Sequence, residues 1–171
     1  MRSGPQLRSI TVDRNPRPAR RALRLTLKPK SAVMGTVDGA WWPRSADPLA
    51  EFPAMIAGIT LRIGQPDRVA FNSAVWTDAP EHVVVGGRAV ELEGFRSLDE
   101  HTVLLHGRDW HRMALLVIPA RADAEAAAAA LADAADPRNN TSATQILLRH
   151  GIEPAETAPS FSAAGSTVGM F

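Results

Sequence analysis

Asp38-Gly39-Ala40-Trp41-Trp42-Pro43-Arg44-Ser45, followed closely by Asp47-Pro48, is the stretch on which the fold turns. Adjacent residues of a strand point to opposite faces. Trp41 and Trp42 therefore enter different environments, and at most one belongs to the sheet face beneath a helix. Pro43 stops the strand, Asp47 is a natural N-cap and Pro48 a natural first helical residue. Leu49, Phe52, Ile56, Ile59 and Ile63 then recur at helical spacing, which predicts an amphipathic helix over about 48–63. Pro53 marks a separable first turn, and Gly64 the stop.

Upstream, Leu23, Leu25 and Leu27 alternate with Arg24, Thr26 and Lys28, the period of a half-buried strand. A second strand is expected from about Ala32 to Ala40. Downstream, Val69, Phe71, Ser73 and Val75 share one face of a strand whose other face carries Asn72 and Trp76. Gly86-Gly87 joins His82–Val85 to Arg88–Glu93 as a tight hairpin. Gly107-Arg108-Asp109 joins Thr102–His106 to a strand over Trp110–Ile118, whose unbroken apolar run from Met113 predicts burial on both faces. Asp123 caps an Ala-rich helix over about 124–135, and Ser142-x-x-Gln145 forms a capping box for a short helix over about 142–150, with Gly151 as its stop. These elements predict an α+β fold: a mainly antiparallel sheet of about seven strands, open or partly closed into a barrel, with its helices on one side. Residues 1–21 read as a disordered basic arm, 22–150 as a single domain and 151–171 as a flexible tail.

The chain has 171 residues, of which 45% are hydrophobic, enough to bury a core. It contains no cysteine, so disulfides, iron–sulfur ligation and thiol catalysis are excluded. No secretory core and no apolar run of membrane-spanning length is visible, so a cytoplasmic location and no membrane contact are expected. Residues 1–30 carry nine basic residues and one acid, Asp13, whereas the rest carries ten basic and 17 acidic residues. Arg8, Arg14, Arg17, Arg20 and Arg21 make the arm a candidate for RNA, ribosome or other polyanion binding. The plainer reading is a solvated tail, because the arm lacks aromatic residues that stack on bases.

Two motifs carry a family likeness. Gly35-x-Val37-Asp38-Gly39-Ala40-Trp41-Trp42-Pro43-Arg44-Ser45 and Gly94-Phe95-Arg96-Ser97-x-Asp99-x-His101-Thr102-Val103 resemble the signatures of an uncharacterised actinobacterial domain-of-unknown-function family over about residues 22–135. The resemblance implies a small single-domain protein. It brings no catalytic residues with it.

Candidate site residues follow from these motifs. Trp and Arg are enriched at binding hot spots, so Trp41 or Trp42, with Arg44, Trp76 and Arg96, are candidates for a partner- or ligand-binding surface. In the plainer reading both tryptophans are packing residues, and Arg44 pairs with Asp38 or Asp47. An enzymatic reading makes His101 a general base oriented by Asp99 or Asp38, with Arg44 or Arg96 holding an anion. The plainer reading of the same residues is an Arg–Asp network that fixes two loops. His106 and His111 form at most a weak two-histidine metal pair. Glu91 and Glu93 share a strand face that reads as solvated, and Ser45 and Ser73 lack a nucleophile-elbow context. No phosphate-binding or dinucleotide motif is present, and no cofactor or metal is implied. The preferred reading is a non-catalytic binding or adaptor domain that engages a protein partner or a polyanion.

Overall fold

The computed structural model describes residues 21–29, 36–108 and 112–154. Arg8, Arg14, Arg17, Arg20, the expected strand start at Ala32, residues Trp110 and His111, and the segment 155–171 lie outside the described residues. The element order is β1 (Leu25–Leu27), β2 (Gly39–Trp41), α1 (Pro48–Ile63), β3 (Pro66–Asn72), β4 (His82–Val85), β5 (Arg88–Phe95), β6 (Thr102–Gly107), β7 (Met113–Val117), α2 (Ala124–Ala135) and α3 (Ala143–Arg149). Among the described residues no helix is long and apolar enough to cross a membrane.

The seven strands form one sheet in the order β1-β2-β7-β6-β3-β5-β4. The sheet is mixed, not mainly antiparallel, because β2 runs parallel to β7 and β3 parallel to β5. Hairpin docking explains the second pair. β4 and β5 form the expected hairpin, with Gly86 and Gly87 at φ of 58° and 78°, but the hairpin meets β3 through its second strand. Among the described residues this order leaves β1 and β4 at the edges, so the sheet is open rather than a closed barrel.

Helices cover both faces, not one. Leu25, Trp41, Val103, Leu105, Leu115 and Val117 face α1, whereas Ala40, Leu116 and Ile118 face α2 and α3. Strand alternation accounts for this division residue by residue. β7 lies between β2 and β6 with both faces packed, as its unbroken apolar run requires.

Helix α1 is continuous through Pro53, and Asp47 Oδ1 caps it by accepting from Leu49 N at 3.0 Å. It buries Pro48, Phe52, Met55, Ile56 and Ile59. Leu49, expected on the buried stripe, is 62% exposed. Helical periodicity gives a side chain's direction but not whether anything lies beneath it.

Strand β3 ends at Asn72, short of the expected reach to Trp76. Asn72 Oδ1 accepts from Ala74 N at 2.7 Å, and its backbone carbonyl accepts from Val75 N and Trp76 N. This side-chain turn competes with the extended strand and sends Trp76 back under α1. There Trp76 stacks on Trp41, ring centroids 5.4 Å apart and planes 4° from parallel, with Phe52 tilted 4.8 Å away.

On the opposite face α2 buries Ala127, Ala130 and Ala134, small residues that let its backbone lie close to β1 and β2. Thr26 Oγ1 donates to Leu131 O at 2.7 Å and ties β1 to this helix. The capping box of α3 is complete. Its C-terminus closes through Gly151 at φ of 70°, with Ile152 N donating to Leu147 O and Gly151 N to Leu148 O. Ile152 is itself buried in the core under α2 and α3. Asp133 of α2 receives Arg149 Nη1 and faces His150 Nε2, both at 2.9 Å. Burial pushes the Asp133 carboxyl up, but the hydrogen bond with His150 and the charge and hydrogen bond of Arg149 outweigh it. The carboxyl is held below its ordinary range.

Two outcomes follow. A Cβ added at Gly39 would lie 2.1 Å from Thr26 O and 2.9 Å from Leu27 Cα, both backbone atoms of β1. Gly39→Ala is expected to destabilise the domain by about 1–3 kcal/mol in urea unfolding, and a neutral result would refute the close approach. The depressed Asp133 carboxyl contributes stability that is present above the ordinary carboxylate range and is lost as pH falls from about 4 through the lower folded-state value. Asp133→Asn should flatten that acid limb and raise amide exchange across α3; an unchanged acid limb would exclude the linkage.

Candidate functional site

A groove of about 570 Å³ lies between the lead-in to β1, the tryptophan pair and the outer face of α1. Its rim holds Arg21, Arg24, Arg44 and Glu51, and its wall along α1 is Ala54, Ala57, Gly58 and Leu61. Register builds the charged end. Leu25 pairs with Trp41, so Arg24 comes opposite Trp42, whose backbone N–H donates to Arg24 O at 2.9 Å. The Arg24 guanidinium lies over the Trp42 ring, 3.4 Å from its centroid. Its Nε donates to Trp42 O at 3.0 Å and its Nη2 to Pro43 O at 2.9 Å. Trp42 Nε1 donates to Pro119 O at 3.1 Å, so the indole is satisfied and half-buried.

Arg44 is exposed and donates Nη2 to Ala22 O at 3.0 Å rather than pairing with Asp38 or Asp47. Glu51 Oε1 accepts from Ser45 Oγ at 2.9 Å. Among the described residues neither Arg21, Arg24 nor Arg44 forms a salt bridge. Burial first, and the Arg44 charge second, hold the Arg24 guanidinium below its ordinary range, with Glu51 acting in the opposite direction. The groove is thus a concave surface with an excess of positive charge at one end and small apolar side chains along the other.

The other candidate residues fall elsewhere. Trp41 and Trp76 are 1% and 3% exposed and belong to the core under α1, although Trp41 also touches the groove floor. Asp38 Oδ2 accepts from Ala114 N at 2.8 Å and ties the start of β2 to β7. Arg96, Asp99 and His101 line a separate cavity of about 310 Å³ with Asn72, Ser97 and Thr144. Asp99 Oδ1 accepts from the backbone N of His101 at 2.8 Å and from Thr102 Oγ1 at 3.2 Å, so this oxygen shapes the turn. His101 is 7% exposed, and its backbone carbonyl accepts from Val117 N. Arg96 is exposed.

Glu91 and Glu93 both lie 3.4 Å from Arg68 Nε, a charged patch on the face that α2 and α3 leave uncovered. His106 stands opposite Arg68 on β3, and its proposed partner His111 lies outside the described residues. Among the described residues no group of three or more His, Cys, Asp or Glu could hold a metal ion.

Sequence reading missed Arg24 and Glu51. Arg24 looks like the solvent position of an alternating strand; only the β1–β2 register sets it on Trp42. Glu51 looks like an ordinary first-turn acid.

The fold and the groove define a three-layer α+β domain with a single open mixed sheet and a cationic surface groove at one end of α1. The chain belongs to a family of unknown function, DUF5994, whose model matches residues 24–134. No curated protein and no solved structure matches it.

The two tryptophans should separate in stability measurements. Trp41→Ala removes a fully buried ring and is expected to cost about 3–5 kcal/mol. Trp42→Ala removes a half-buried ring, one cation–π contact and one hydrogen bond, and should cost about 1–2 kcal/mol. Equal losses in urea unfolding would contradict the assignment of the two rings to different environments.

Proposed function

We propose that the domain is a non-catalytic binding module whose contact surface is the groove formed by Trp42, Arg24, Arg44 and the outer face of α1. The observation that carries this reading is a cavity of about 570 Å³ at whose rim three arginines lack a salt bridge among the described residues. Cavities of roughly 300–1,000 Å³ with apolar walls and a few fixed polar groups are typical ligand sites. Trp42 and Arg24 are held in place by hydrogen bonds to backbone carbonyls, so they are ordered before any partner arrives. Ordered contact groups lose little freedom on binding. Asp99 engages its own turn through Oδ1, which weakens the case for a His101–Asp99 base pair.

Arg44→Glu reverses a charge at an exposed position and tests the reading directly. The full chain and the variant are purified side by side from native cells and compared by native mass spectrometry and proteomics. A molecule or partner retained by the native protein should fall at least tenfold with Arg44→Glu, both proteins giving the same circular dichroism. Identical retained sets would end the proposal.

A further inference from the structure

Resting on that reading, we infer that the groove takes a small anionic amphiphile: a carboxylate head against Arg24 and Arg44, and an extended apolar tail along α1 past Ala54 and Ala57 to Leu61.

The charged end argues for the head. Arg24 uses Nε and Nη2 on two carbonyls, which leaves Nη1 free to donate, and Arg44 keeps Nε and Nη1 beyond its bond to Ala22 O. Arginine donors in this number, with no salt bridge to a described carboxylate, have the chemistry that recognises a carboxylate. Arg24 is partly desolvated beside a second cation, so an anion placed between the two relieves their repulsion. Glu51, the one carboxylate among the described residues that line the groove, is engaged by Ser45 and sets an acidic limit on one side.

The α1 wall argues for the tail. Ala54 and Ala57 are too small to fill the space beside the helix, while at Gly58 Leu23 seats directly on the helix, a Cβ there lying 2.1 Å from Leu23 Cδ2, and lines the groove beside them. Leu61, at the far end, is 88% exposed. From Glu51 to Leu61 the helix rises about 15 Å, the reach of an extended medium-length chain and not of a compact polar metabolite. The volume favours a small molecule over a partner helix. Nucleic acid is disfavoured because Arg24 already covers one face of Trp42, removing it as a base-stacking platform.

The test uses the full chain with three probes: decanoate, 1-decanol and acetate. Calorimetry and tryptophan fluorescence should show decanoate binding at least tenfold more tightly than decanol, and acetate at least a hundredfold more weakly than decanoate. Arg44→Gln should abolish the preference for decanoate over decanol while leaving decanol binding unchanged. Leu61→Glu, at an exposed position, should weaken decanoate at least tenfold without altering the urea midpoint. Equal binding of decanoate and decanol, insensitivity to Leu61→Glu, or no binding of decanoate would each overturn the amphiphile. If decanoate fails while the native chain still retains a partner that Arg44→Glu loses, the binding reading stands and this ligand class falls. If both fail, both fall.

Discussion

The stack of Trp41 on Trp76 is the contact from which the rest of the arrangement follows. β2 and β3 are separated by β7 and β6, roughly 14 Å across the sheet. Trp76 spans this distance only because the Asn72 turn redirects the chain at the end of β3. Phe52 and Phe71 complete the ring cluster beneath α1, each aromatic pair adding about 0.5–1.5 kcal/mol beyond its burial. Once Trp41 is fixed in that cluster, strand alternation sends Trp42 to the other side. Antiparallel register then puts Arg24 upon it, so the groove's charged end is a by-product of how the core is anchored.

The same anchoring separates two features that share one sequence motif. Asp38 and Gly39 serve the sheet, through a bond to β7 and the close approach of β1. Trp42, Arg44 and Ser45 serve the groove, either directly or through Glu51. The second motif is divided as well: Gly94 lies in β5 against Phe71, whereas Asp99 and Thr102 build the turn into β6. A motif's unusual composition can thus reflect backbone demands at some positions and a surface at others.

Local signals were legible in the sequence. Asp47-Pro48, Gly86-Gly87, the Ser142–Gln145 box and the period of Leu23, Leu25 and Leu27 each specify a conformation through nearby atoms, and each has the expected counterpart. Non-local facts were not legible. Parallel pairing of β2 with β7 joins residues some 75 positions apart, and nothing near Gly39 encodes the direction of its neighbour. The Asn72 turn was hidden because Val75 and Trp76 continue a strand-like alternation that a single side-chain hydrogen bond interrupts. For the candidate site, Trp42 and Arg44 were visible as residue types, whereas Arg24 depends on register and the α1 wall on the absence of side-chain bulk.

Helix α3 lies beyond residues 24–134, yet Ile146, Leu147 and Ile152 share a core with Ala127, Ala130 and Ala134 of the matched segment. The family segment and the folding unit are therefore different lengths of chain. A polypeptide cut at residue 134 would present the alanine face of α2 and the flank of β7 to water, losing roughly 1.5–3 kcal/mol for each large side chain that no longer covers them. The lid over that face thus comes from outside the family segment, whereas the sheet and most of the groove lie within it.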